Sequence, residues 1–241
     1  MPRLSATGRQ TEVKLWVRRW VVTAWLLLSA AASAQGGLQL TPMILELGAD
    51  QGSRTDVIAS NAGDEPLYLD VIPARIDQPG QTGETRQVED DPDALGLLVT
   101  PRRFVLQPGG TRRIRVAALQ PPGEVDRVYR ILVKPAVADT PAETSQIRVV
   151  VGYDLLVFVR PTRPTIAIEA ERRDGALILR NQGNSNVLFQ RGEFCVDAQP
   201  CTPLTTRRVY PGASVRIELP GRDGTVRFLQ TQGDRVSPVE Y

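Results

Sequence analysis

Apolar and polar residues alternate in short runs along most of this 241-residue chain, and the runs are separated by Gly, Pro, Asn and Asp. That period predicts strands, and nowhere is a helical period sustained. The predicted strands are "LQLTPMILELG", "TDVIASN" and "LYLDVIPARI", then a polar loop from Asp77 to Ala94. After the loop come a strand into Phe104, the turn "QPGG", and an alternating strand in which Ile114 and Val116 oppose Arg113, Arg115 and Ala117. "RVYRILVKP" is next, and "AVADTPAETSQ" is small and polar, expected to be mobile.

The stretch Ser145 to Pro161, "SQIRVVVGYDLLVFVRP", stands apart from the others. From Ile147 to Val159 it has no Pro and a single Gly, and β-branched and aromatic residues dominate it. Extended, it would run roughly 43 Å at ~3.3 Å per residue, against a usual strand of about 5–6 residues. Its first half alternates, with Ile147, Val149, Val151 and Tyr153 on one face and Arg148, Val150 and Gly152 on the other. Its second half, "LLVFV", is apolar on both faces. The strand is therefore predicted to be buried on both sides at one end and to carry an uncovered apolar face at the other.

Seven or so antiparallel strands in about 125 residues have the count and spacing of an immunoglobulin-like sandwich. "RPTRP", Arg160 to Pro164, then punctuates the chain as a stiff hinge. "TIAIEAERR", "GALILRNQG", "NVLFQRGEFC", "RRVYPGASVRIELPG" and "GTVRFLQ" form a second all-β set. The second set is small for a full core.

The first residues read as a secretory signal. Arg3, Arg9, Lys14, Arg18 and Arg19 precede or flank the apolar run "WVVTAWLLLSAAA", and Ala32, Ser33 and Ala34 form a small-residue cleavage site. The run is too short for a comfortable membrane span of roughly 20 residues. The alternative is an uncleaved N-terminal anchor. Cleavage after Ala34 leaves 241 − 34 = 207 residues, an exported soluble protein. The predicted organisation is a signal peptide over 1–34, a first domain over 35–160 and a smaller one over 161–241. Removing five basic residues and Glu12 changes the net charge from +2 to +2 − 4 = −2. With no basic patch interleaved with aromatics, a nucleic-acid partner is not expected.

The chain has no histidine, which removes the commonest general base and the commonest metal ligand together. Ser-His-Asp and Cys-His mechanisms are excluded. "EDDPD", Glu89 to Asp93, reads as a solvated turn rather than a pair of catalytic carboxylates, and "PGGTRR" lacks the spacing of a phosphate cradle. No enzymatic activity, cofactor, metal or small-molecule substrate is expected. The two cysteines, Cys195 and Cys201, predict a local disulfide in an exported protein.

Taken in order, the signal, "LTPMILEL", "RRFVLQPGGTRRIRV", "YRILVKP", a mobile loop, a strand ending "VFVRP" and a smaller β domain with "LILRNQGNSNV" resemble the periplasmic chaperones of chaperone-usher pili. The resemblance covers essentially the whole mature chain. It implies two immunoglobulin-like β-sandwich domains set as a boomerang, with pilus subunits and an outer-membrane usher as partners. It also implies a periplasmic location, and a free form that could self-associate to hide its strand. The chaperone strand would complete a pilin that lacks its own last strand. By distance from the "RP" ending, the donor residues fall on Ile147, Val149 and Val151, with Tyr153 as a fourth. Four such side chains contribute on the order of 1.5–3 kcal/mol each on burial, before association costs. The family's usual cationic anchors for the pilin's C-terminal carboxylate fall here on Ile44 and Leu156, which are uncharged. A buried carboxylate still requires a donor. Arg103 and Arg115, flanking the "QPGG" turn, are the candidates, ahead of Lys134, Arg160 and Arg163. The alternative is an exported β-sandwich protein that is itself a structural or surface component.

Overall fold

The computed structural model describes residues 37–48, 51–136, 151–197 and 199–241. The predicted signal segment and the donor positions Ile147 and Val149 lie outside these residues. Among the described residues no helix is long and apolar enough to cross a membrane.

The first ten strands are β1 (Leu38–Thr41), β2 (Ile44–Leu47), β3 (Arg54–Asn61), β4 (Leu67–Asp77), β5 (Thr85–Val88), β6 (Leu97–Thr100), β7 (Arg103–Leu106), β8 (Thr111–Ala118), β9 (Arg127–Pro135) and β10 (Tyr153–Val159). They build a four-stranded sheet, β1-β3-β8-β6, facing a six-stranded sheet ordered β2-β10-β9-β4-β5, with β7 also paired to β4. The inward rows of both sheets make one core, including Leu45, Leu47, Val57, Val71, Ile114, Val116, Ile131, Leu155 and Val157, each at 2% exposure or less. Period-two burial in strands such as β1, β6 and β7 explains why the alternation in these segments was readable as strand.

The second sandwich uses β11 (Ile168–Arg173), β12 (Ala176–Asn181), β13 (Val187–Cys195), β14 (Thr202–Leu204), β15 (Arg207–Val209), β16 (Ser214–Glu218), β17 (Thr225–Gln232) and β18 (Arg235–Glu240). A three-stranded sheet, β11-β12-β16, faces a five-stranded one built on β14-β13-β17-β18 with β15 on β13. Its separate core centres on Leu177, Phe189 and Phe228, with the two rings 5.7 Å apart edge to face. The predicted disulfide is formed between Cys195 and Cys201. It ties the end of β13 to the start of β14.

The expected loop from Asp77 to Ala94 is partly ordered as regular structure. β5 pairs with β4 through Ala74↔Val88 to Asp77↔Thr85, and Pro92–Leu95 forms a single helical turn, α1. The Asp91 side chain accepts from the Asp93 N–H at 3.0 Å, and Gly96, at φ 79°, closes the turn by donating to the Pro92 carbonyl. Asp followed by Pro marks a helix start as well as a turn, and that ambiguity hid α1 in the sequence.

The hinge segment is held rather than loose, because Arg160 is buried. Its guanidinium donates through Nε and Nη2 to both carboxylate oxygens of Glu46 on β2. Nη1 donates to Asp126 Oδ2 and to Ser185 Oγ, both at 2.8 Å. Asp126, whose side chain is fully buried, also accepts from the Asn186 N–H and side-chain amide at 2.6 Å. Phe158 lies between two guanidiniums, those of Arg160 and Arg208, each 4.9 Å from the ring centre. Residues of β2, β10, the β8–β9 connection and the β12–β13 turn thus share one buried charge network. Replacing Arg160 with Met would leave Asp126 as an uncompensated buried charge, so this variant should lose about 3–5 kcal/mol of stability. Chemical denaturation followed by far-UV dichroism measures it; a loss below about 1 kcal/mol would contradict the assignment.

Candidate functional site

β10 is an interior strand for only part of its length. It pairs with β9 along its whole described span, from Tyr153↔Val133 to Val159↔Arg127. On its other side β2 runs parallel to it but begins only at Ile44, opposite Leu156. The first hydrogen bond there runs from the Leu156 N–H to the Met43 carbonyl at 3.0 Å, and the last from the Arg160 N–H to Leu47. Even-numbered residues therefore point their backbone groups toward β2, so the Asp154 N–H faces the same way. No described strand pairs with β10 there. Gly152 immediately precedes the strand. Such unpaired backbone is a template for another strand.

The side chains of β10 show where its own core ends. Val159, Val157 and Leu155 point inward and are at most 1% exposed. Tyr153, next in that row, is partly buried and packs against the same core. Val151, next again, is 62% exposed. Val151 and Gly152 precede β10 and are not in regular strand, so among the described residues the predicted long strand begins only at Tyr153. Of the four positions expected from the sequence to donate, Tyr153 packs against its own core, Val151 is exposed, and Ile147 and Val149 lie outside the described residues.

The opposite face of β10 carries Asp154, Leu156 and Phe158. Phe158 is fully buried against Ile76, Val128, Leu156 and Tyr210. Ile44, the cross-strand neighbour of Leu156, is 47% exposed. The positions of the usual cationic pair are therefore adjacent, apolar, and at the point where β2 starts. The cation beside them comes from β9, where Arg130 pairs with Leu156 across the strands. Its Nη1 lies 3.7 Å from Asp154, which also accepts two hydrogen bonds from Arg86, each at 3.1 Å. Arg208 stacks over the Phe158 ring, and burial holds its guanidinium below the ordinary value. Tyr210 packs against the same ring. Burial raises its phenol above the ordinary value, and the charges of Arg208 and Arg130 act against that rise.

Arg103 and Arg115 do not meet. Arg103 is on β7, in the six-stranded sheet, and is engaged by Asp70. Arg115 is on β8 in the facing sheet, and its Nε and Nη2 donate to Asp56 at 3.0 and 3.2 Å. Flanking one turn in sequence placed them on opposite layers, because β7 and β8 belong to different sheets. Lys134 stands across from Asp70 on β9, and Arg160 is consumed by Glu46 and Asp126. Arg130 could have been found from "RVYRILVKP", where it lies on the face opposite the inward Tyr129, Ile131 and Val133. The one described group with metal-ligand spacing, Glu193 with Cys195 and Cys201, has both sulfurs tied up in the disulfide.

This architecture has known counterparts. The class 5 fimbriae chaperone CfaA superposes with a TM-score of 0.63 at 20% identity, over 85% of this chain and 98% of that one. A structure of the Salmonella enterica SafA pilin with the SafB chaperone matches at 0.61 and 14%, over 87% and 98%. One of the Acinetobacter baumannii CsuC–CsuE chaperone–tip adhesion complex matches at 0.58 and 12%, over 85% and 97%. The chain has the two-domain all-β fold of the fimbrial chaperones.

Among curated proteins, a CFA/I fimbrial subunit of Escherichia coli is 27% identical over 199 residues, 78% of this chain and 82% of that protein. A CS1 fimbrial subunit of Escherichia coli is 26% identical over 159 residues, 61% and 66% of the two chains. No family model matches the chain.

Asp56 is held below the usual carboxylate range chiefly by the hydrogen bonds from Arg115. In Arg115→Ala the Asp56 carboxyl should titrate closer to the ordinary value of about 3.9, followed by carbon-detected NMR of its Cγ. An unchanged midpoint would show that Arg115 is not its partner in solution, and would release Arg115 for another role.

Proposed function

We propose that the protein is a strand-donating assembly chaperone for fimbrial subunits, working in the periplasm after export and delivering its cargo to an outer-membrane usher. It has no catalytic step; binding and release are the mechanism. The observation that carries this reading is the start of β10: its inward row is buried through Leu155, the exposed Val151 immediately precedes it, and no described strand pairs with it before Leu156 on the β2 side. A pilin lacking a strand would pair with that edge and take Val151, Val149 and Ile147 into its own interior, with Tyr153 bridging the two cores. Backbone hydrogen bonds then supply affinity and the side-chain row supplies fit. Chaperone–pilin complexes among the structures of the same fold support this reading.

The pilin's terminal carboxylate would be held by Arg130 and Arg208, which lie near the apolar pair Ile44 and Leu156. Arg103 and Arg115 serve this less well, being on separate layers and away from Leu156, which Arg130 faces across the strands. A second reading, that the chain is itself a fimbrial component, is favoured by the names of the two Escherichia coli relatives. Against it, the first sandwich keeps its last strand, β10, in the core, where Leu155 and Val157 are fully enclosed.

Co-expression with pilins encoded nearby should yield a 1:1 complex from periplasmic extract. Val151→Asp should leave the dichroism spectrum unchanged and weaken the complex by at least about 100-fold, since a carboxylate would enter an apolar interior. Arg130→Ala should weaken it by about tenfold or more, the worth of a charge-assisted hydrogen bond. An undiminished complex with Val151→Asp would remove Val151 from the interface, and a chain that captures no pilin would favour the second reading.

A further inference from the structure

β1 and β2 are one run of chain divided between two sheets. β1 pairs antiparallel with β3 in the four-stranded sheet, and after Pro42 the chain crosses the sandwich, so that β2 pairs parallel with β10 in the six-stranded sheet. The burial phase changes at that point. Leu38 and Leu40 are buried at even positions, whereas Leu45 and Leu47 are buried at odd positions, with exposed Thr41, Pro42, Met43 and Ile44 between. A strand that passes from one sheet to the facing sheet must exchange its inward parity, because the core lies on opposite sides of the two sheets.

That change of phase bears on the open edge. If the chain before β2 instead ran straight on along β10, the register Ile44↔Leu156 would place Met43 opposite Leu155, Thr41 opposite Tyr153 and Gln39 opposite Val151. The edge would then be covered by this molecule's own residues. In that frame, however, the inward positions beside Tyr153 and Val151 would be the polar Thr41 and Gln39, and Leu38 and Leu40 would turn outward, away from the core they now fill. The missing N–H of Pro42 is not the obstacle. The carbonyls facing β10 are those of odd residues, as at Met43 and Leu47, and in a parallel ladder the same residues supply the N–H groups.

We propose that the one-residue phase break at Pro42 keeps the β10 edge from being closed by the chain's own first strand, so that the edge stays available to a partner. Removing one residue there would reverse the outcome. Leu40 would fall opposite Tyr153 and Leu38 opposite Val151, both on the inward side, and a single continuous strand could cap β10. The inference rests on the reading of this edge as the donor surface, but its physical content concerns the free protein alone.

Amide hydrogen exchange of the free protein tests it at Asp154, whose N–H faces the open side, and at Gly152, just before the strand. Deleting Pro42 should slow both amides by about tenfold or more relative to the parent, and should abolish pilin capture. Pro42→Ala, which keeps the phase, should exchange and bind as the parent does. If the deletion does not fold, the double variant Gln39→Val with Thr41→Val makes the segment apolar in both phases at exposed positions, and should slow the same amides. Unchanged exchange at Gly152 and Asp154 in the folded deletion, or in the double variant, overturns the proposal. A parent that captures no pilin while the deletion still slows exchange would sink the functional reading and leave the phase break standing. A parent that binds while the deletion leaves exchange unchanged would sink the phase break alone.

Discussion

The core of the first sandwich ends at Tyr153, the first residue of β10, and the chain leading into that strand carries an apolar side chain, Val151, into solvent. Everything distinctive in the first sandwich follows from that mismatch. Val159, Val157 and Leu155 are enclosed, Tyr153 is half enclosed, and Val151, two residues before it in sequence, is bare. An apolar row beside unpaired backbone is unfavourable in water and invites uncontrolled pairing. It is tolerable in a protein whose task is to lend that row to another chain.

The rest of the molecule keeps the edge in one place and in one state. Arg160 closes the end of β10, and its bidentate contact with Glu46 holds β2 beside Leu156 to Val159. The same guanidinium reaches Asp126 and Ser185, so the strand is fixed relative to the second sandwich as well. β2 thereby covers the last part of β10 and stops, and the phase change at Pro42 sends the preceding residues to the other sheet. Among the described residues, the start of β10 is left without a partner on this side, and it lies next to a face where Ile44 and Leu156 are apolar and Arg130 and Arg208 supply charge.

The strands were legible because their burial follows period two almost everywhere, as at Val57 and Ala59 or Ile114 and Val116. The disulfide was legible from two cysteines close together in an exported chain. α1 was not, because Asp91 and Pro92 are turn and helix-start signals alike. The placing of Arg103 and Arg115 was not legible either. A turn joins neighbours in sequence, and only the pairing of β7 with β4 and of β8 with β3 shows that the turn crosses between layers. Arg160 read as a hinge residue because nothing local announces that Glu46 and Asp126, each more than 30 positions away, will converge on it. The apolar character of Ile44 and Leu156 was visible, but that Arg130 stands beside them depends on the β9–β10 register.

The most direct measurement of the account is an isotope-edited NOE experiment on a complex with a cognate pilin, with the methyl groups of Val151 labelled in this chain and the pilin labelled separately. The account predicts cross-peaks from Val151 to aliphatic or aromatic protons of the pilin's interior. Val151 methyls that contact only their own chain and water in a stable complex would contradict it.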